Sequence, residues 1–219
     1  MQPPAFVCFD LETTGCNPSK DGIIQLAAMT LTLAKEGTAA FVKSSSFSCY
    51  ARNEVPIHFR AVQTHGLTEK RLKELGAVDP REMLRSFVEY LNRQEAVVLV
   101  AYSSGLDFNF LAQSMDRYSL VMGNIRGVVN ALGLVRKAYP TNTHRLGVLF
   151  GDLVHRCDTT CTAENCEWAS LCAHDAMSDT RMLVELMEKP TMAQMLQLES
   201  NHQPWQRWLD RVTTRKKRN

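Results

Sequence analysis

Apolar residues in this chain follow two patterns, and the change from one to the other outlines its architecture. Runs at 5–9, 23–33, 40–50 and 97–101 have strand length and composition. The segments 80–93, 106–115, 143–156 and 175–188 instead repeat apolar residues every three or four positions, with further helical pattern towards the C-terminus. In the last of these, Met182, Leu183, Leu186 and Met187 form one stripe, which marks a helix with a buried face. Strands early and helices interleaved later predict a mixed α/β layer structure.

The polar residues that interrupt this pattern carry the chemistry. The first strand runs into Phe9-Asp10-Leu11-Glu12-Thr13-Thr14-Gly15. Side chains alternate along a strand, so Asp10 and Glu12 point to the same face, whereas on a helix they would lie nearly opposite. Presenting two carboxylates together at the end of an apolar strand is unfavourable unless a cation shares the site; the alternative is a solvated strand end. Asp107 precedes Phe110 and Leu111 by three and four residues, which places it in the first turn of a helix. The helix dipole alone accounts for an acid there. Asp179 opens a helix in the same way. His174, five residues earlier, falls on the preceding turn, with Asp175 or Ser178 near the cap. Together, Asp10, Glu12, Asp107, His174 and Asp179 could hold two divalent metals and a base, the groups that phosphodiester cleavage requires. Oxygen donors suit Mg2+ or Mn2+. Four clustered carboxylates repel one another, so an empty site is expected to show raised pKa values.

Composition narrows the remaining possibilities. The chain of 219 residues, 45% hydrophobic, is long enough for one domain with a substantial core, read as 1–210, followed by a basic 211–219 tail expected to be disordered. No internal repeat or low-complexity linker interrupts it. No stretch approaches the roughly 20 apolar residues of a membrane span, and no secretory signal is visible, so the expectation is an intracellular protein without a membrane partner. The basic tail fits phosphate binding or a nuclear import signal, which favours nucleus over cytoplasm, or else it is a solvated end. A net charge of +2 argues against a purely non-specific nucleic-acid binder, which normally carries a strong basic excess. Of seven cysteines, Cys157, Cys161, Cys166 and Cys172 cluster. They could chelate a structural Zn2+, or they are free thiols in a reducing compartment, since the paired C-x2-C spacing is missing. Trp205 and Trp208 share one face of a final helix that docks on the domain, with a homodimer or partner contact as the alternative.

The ordered set Asp10/Glu12, Asp107, then His174 ahead of Asp179 resembles the DEDDh 3′→5′ exonucleases, the proofreading-epsilon-like (DnaQ-like) family. Pro56-Ile57 and Thr64-His65-Gly66-Leu67-Thr68 resemble the segment after the third strand of these enzymes, and the likeness covers residues 5 to 188. Within the family, Arg145-Leu146-Gly147-Val148-Leu149-Phe150 and the closing Trp205–Asp210 segment are most similar to the three-prime repair exonucleases and the exonuclease-like C-terminal region of the PML protein. The resemblance implies an RNase H-like five-stranded mixed sheet with helices on both faces. It also implies two Mg2+ or Mn2+ per site, bridged by Asp10, with Glu12 and Asp179 on one side and Asp107 more remote. His174 would take the proton from the attacking water, and the backbone at Leu11 and Thr13 would receive the 3′-terminal nucleotide. The implied product is a nucleoside 5′-monophosphate, with DNA 3′ ends favoured as substrate and RNA as the alternative. A catalytically idle exonuclease fold that binds nucleic acid or protein is the reading from another class. The family usually reads Ala-His-Asn where this chain reads Ala101-Tyr102-Ser103, so Tyr102 and Ser103 are the substrate-binding positions at which it departs.

Overall fold

The computed structural model describes residues 3–34, 40–155 and 174–216. Three antiparallel strands open the chain: β1 (Ala5–Thr13), β2 (Ile23–Leu33) and β3 (Phe41–Tyr50). Helices α1 (Phe59–His65), α2 (Glu69–Glu74) and α3 (Pro80–Leu91) follow. Then come β4 (Val97–Ala101), α4 (Ser104–Arg117) and β5 (Ile125–Asn130), after which the chain continues as helices α5 (Ala131–Ala138), α6 (Leu146–Leu153), α7 (Ala176–Met187), α8 (Pro190–Gln197) and α9 (Gln206–Lys216). The five strands form one mixed sheet in the order β3-β2-β1-β4-β5, with β4 and β5 parallel to β1. No helix among the described residues is long and apolar enough to cross a membrane.

The alternation along β1 builds a core on each side of the sheet. Val7, Phe9 and Leu11 face a core filled by Met83, Leu84 and Phe87 of α3 and by Phe108 and Leu111 of α4. Phe6 and Cys8 face a second core filled by Leu183, Val184, Leu186 and Met187 of α7, with α5, α6 and α8 around them. β1 is therefore apolar on both faces, as a central strand must be. Asp79 caps α3, accepting from the Arg81 amide at 2.9 Å, with Pro80 in the first turn where its missing N–H costs nothing.

Two segments differ from the sequence expectation. β5 carries Arg126 and Gly127 in its middle, which breaks the apolar run that would announce a strand. Gly127 is required because residues 202–203 cross this strand: a Cβ there would stand 3.1 Å from His202 Cβ, and Val128 and Gln203 exchange two 2.8 Å backbone hydrogen bonds. The basic C-terminal segment begins as packed helix rather than as a disordered tail. α9 continues to Lys216 because Trp205, Trp208 and Val212 recur at helical spacing and are buried in the first core. Trp208 and Trp205 lie 5.3 and 6.4 Å from the Phe108 ring, so they dock α9 on its own domain and present no surface to a second copy.

Candidate active site

The acids converge because the strands end at different heights. β1 pairs with β4 only as far as Cys8 opposite Val100, then runs on to Thr13 beside β2 alone. Asp10 and Glu12 continue the even-numbered series that faces α7, beyond the point where β4 has stopped. The chain leaving β4 turns at once into α4, whose first turn carries Asp107. Ligand sites of open α/β sheets form at such carboxyl ends of strands. From the other side, α7 brings Asp179 in its own first turn.

Oxygens of Asp10, Glu12 and Asp179 lie within 4.8 Å of one another, an all-oxygen donor set that fits a hard divalent cation. Glu12 and Asp107 are buried, and Asp10 and Asp179 are half-buried. Burial, and then the charges of Asp107, Asp179 and Glu12, hold the Asp10 carboxyl well above the usual carboxylate range. Glu12 is pushed up to about 8, by burial first and then by Asp179, Asp175 and Asp107. Burial pushes Asp107 up to about 7. Burial raises Asp179 above the usual carboxylate range, against the His174 imidazole and backbone N–H, which favour its ionised form. His174 itself is exposed, on the turn before α7, with φ +66. All five residues proposed from the sequence thus gather at one end of the sheet.

The exonuclease family (RNase_T) matches residues 7–187. The chain belongs to this DnaQ-like 3′→5′ exonuclease family. Its curated relatives include the DNA polymerase III PolC-type protein of Bacillus subtilis, 29% identical over 150 residues, which are 68% of this chain and 10% of the polymerase. The corresponding Halalkalibacterium halodurans protein is 31% identical over 146 residues, 66% of this chain and 9% of that one. The chain therefore spans about a tenth of the length of these relatives. Among solved structures, the zinc-bound form of an E. coli ExoI–ssDNA complex superposes with a TM-score of 0.62 at 16% identity, over 97% of this chain and 43% of ExoI. That likeness bears on the fold, which is the five-stranded α/β sheet of these exonucleases. Divalent metals serve this family, and the acid cluster offers them ligands.

A supporting layer surrounds the four acids. In register across the sheet, Glu12 lies opposite Gln25, and Gln25 opposite Tyr50, so the three share the α7 face. Gln25 is 1% exposed and fully engaged. Its Nε2 donates to Asp175 Oδ1 at 2.8 Å and to the Tyr50 hydroxyl at 3.1 Å, and its Oε1 accepts from the Ala176 amide at 3.3 Å. Asp175 in turn caps α7, accepting from the Ser178 amide at 3.0 Å. Further along α7, the Thr180 hydroxyl donates to the Ala27 carbonyl at 3.4 Å, and Lys43 pairs with Glu185 and, at 3.1 Å, with Glu188. The helix carrying Asp179 is thus pinned to the sheet along its length. A lone glutamine inside the apolar run Ile23–Ala28 was the available signal.

The remaining sequence candidates occupy distinct places. Leu11 is buried in the first core, and the Thr13 carbonyl accepts from His65 Nε2 at 3.2 Å. Tyr102 is packed in the second core and donates its hydroxyl to the His144 carbonyl at 2.9 Å, while Ser103 is exposed where α4 begins. Cys157, Cys161, Cys166 and Cys172, read as zinc ligands or free thiols, lie outside the described residues. Cys8 is buried, Cys49 half-buried and Cys16 exposed, all three free.

Two predictions follow from this geometry. Glu12 and Asp107 keep protons in the folded state at pH values where the unfolded chain has lost them, so the metal-free fold loses stability as pH rises from about 3.8 to 8. Melting in chelator is expected at a lower temperature at pH 8 than at pH 6, with a larger upward shift on adding Mg2+ at pH 8. A pH-independent Mg2+ shift would contradict the cluster's role. Gln25→Leu, which keeps the bulk but removes every hydrogen bond, should lower the unfolding free energy by about 1–3 kcal/mol in urea titrations. A loss under about 0.5 kcal/mol would show that the α7 anchor carries no weight.

Proposed function

We propose that this protein is a metal-dependent exonuclease that removes nucleoside 5′-monophosphates from DNA 3′ ends. The observation that supports this most directly is the meeting of Asp10, Glu12 and Asp179 oxygens within 4.8 Å, with the Asp107 charge acting on Asp10 from α4. Asp10, Glu12, Asp107 and Asp179 are the residues that would hold two Mg2+ or Mn2+ ions, which supply Lewis-acid stabilisation of the charge developing on the phosphate. Within this reading His174 is the general base. Its exposure lets it meet a water on the open side of the site, beside the Asp179 carboxylate. The backbone at Leu11 and Thr13 and the exposed Ser103 border the place where the terminal nucleotide would sit, with Tyr102 held back in the core.

Several features support DNA over RNA. The curated relatives are DNA polymerases by name, the ExoI structure holds single-stranded DNA, and the α6 and α9 segments resemble those of the three-prime repair exonucleases. Residues 1–210 are read as one domain, with α9 packed on the first core. The basic residues at the end of α9 and beyond it fit a nuclear location. The zinc reading of the Cys157–Cys172 cluster is tested by metal analysis of protein purified without added metal.

End-labelled DNA and RNA oligonucleotides, single- and double-stranded, test the proposal when incubated with Mg2+, with Mn2+ and with chelator. Shortening from the 3′ end of DNA, abolished by chelator, is the expected result. Asp107→Ala should eliminate it, and His174→Asn, chosen because Asn tolerates positive φ, should slow it by about 10²–10⁴-fold while circular dichroism stays unchanged. Retention of the parent rate in either variant would refute the site assignment. Binding without shortening of any substrate would favour the idle-module reading.

A further inference from the structure

Among the described α-helices, α1 alone buries no side chain. A helix of seven residues is not stable by itself in water, so its ends must hold it. They do. At the N-terminal end, the His58 amide donates to the Thr14 carbonyl at 2.8 Å, and His58 Nε2 lies 3.2 Å from the buried Asp21 carboxylate. At the C-terminal end, His65 Nε2 donates to the Thr13 carbonyl at 3.2 Å, and His65 Nδ1 accepts from the Leu67 amide at 3.0 Å. Gly66, at φ +71, ends the helix in the left-handed conformation. Both anchors fall on the two residues that follow Glu12. The helix is therefore fixed beside the acid cluster with its outer face in solvent.

That face has a specific chemistry. Phe59 is 74% exposed, while the other eight phenylalanines are buried or half-buried. The next residue is Arg60, also exposed, and α1 contains no acid. An uncovered aromatic ring beside a cation, with no carboxylate on the same helix, suits a base and a phosphate of a single strand. It stands next to a site whose own acids would repel that strand's phosphates unless metal neutralises them. We propose that the exposed face of α1 is the platform on which a base of the strand leading to the cleaved linkage stacks, with Phe59 as the stacking residue and Arg60 near its phosphate. This rests on the exonuclease reading and adds where the unpaired strand lies.

The experiment compares the parent, Phe59→Ala and Phe59→Trp on two substrates: a single-stranded oligothymidylate, and the p-nitrophenyl ester of thymidine 5′-monophosphate, which has no second base. The ratio of kcat/KM for the oligomer to that for the ester is expected to fall about tenfold in Phe59→Ala, through KM of the oligomer, and to be restored by Trp. An unchanged ratio, whether both activities hold or both fall, overturns the proposal; so does a self-association lost in Phe59→Ala with oligomer kinetics intact. If the parent cleaves neither substrate, the exonuclease reading fails separately. The platform is then tested by anisotropy of a labelled oligothymidylate in Ca2+: weakening of about tenfold in Phe59→Ala supports it, and an unchanged Kd overturns it.

Discussion

Mutual repulsion among carboxylates withdrawn from water is the constraint around which this protein is arranged. Asp10, Glu12, Asp107 and Asp179 come from a strand and two helices, and nothing in their own chemistry would bring them together. The packing of apolar residues on both faces of the sheet forces the meeting. In the absence of a cation, burial favours the protonated forms of Glu12 and Asp107, and at Glu12 the charges of Asp179, Asp175 and Asp107 add to it. A divalent ion removes the need for those protons. Stability, proton uptake and metal affinity are therefore three readings of one electrostatic fact.

The scaffold bears this strain by over-determining the two elements that carry the acids. β1 is the central strand, held by β2 on one side and β4 on the other, with its Phe9 ring in tilted contact with Phe108 of α4. α7 is tied to the sheet at its start by Gln25, along its length by Thr180 and at its end by Lys43. The turn after β1 is locked as well. Asp21 accepts from the Asn17 amide at 2.8 Å, and a Cβ on Gly15 would come within 2.5 Å of that carboxylate. Carboxylates positioned so firmly need little reorganisation when a cation or a phosphate arrives.

What was legible in the sequence follows from where the information resides. β1, β2, β4 and α7 are read correctly because burial on one or both faces forces their residues into a regular pattern. The five residues that gather at one end of the sheet are legible because their side chains are unlike their apolar neighbours. β5 is hidden because a crossing segment demands Gly127 where a strand would carry a side chain. α1 is hidden for the opposite reason: no face of it is buried, so no periodicity marks it. Gln25 and His65 are single polar residues with partners 150 and 52 positions away, and the sequence shows the polar residue without showing which partner it meets. Tyr102, marked in the sequence as a point of departure from the family, packs its ring in the second core.

The central claim is that these acids form one cation site governed by their shared charge. Mn2+ binding followed by paramagnetic resonance at neutral pH, in the parent and in Asp10→Asn, tests it most directly. The account predicts that the parent takes up Mn2+ to two ions per chain with release of protons, and that Asp10→Asn, still folded, loses both the uptake and the proton release. Equal uptake by the two proteins, or none by the parent, would contradict it.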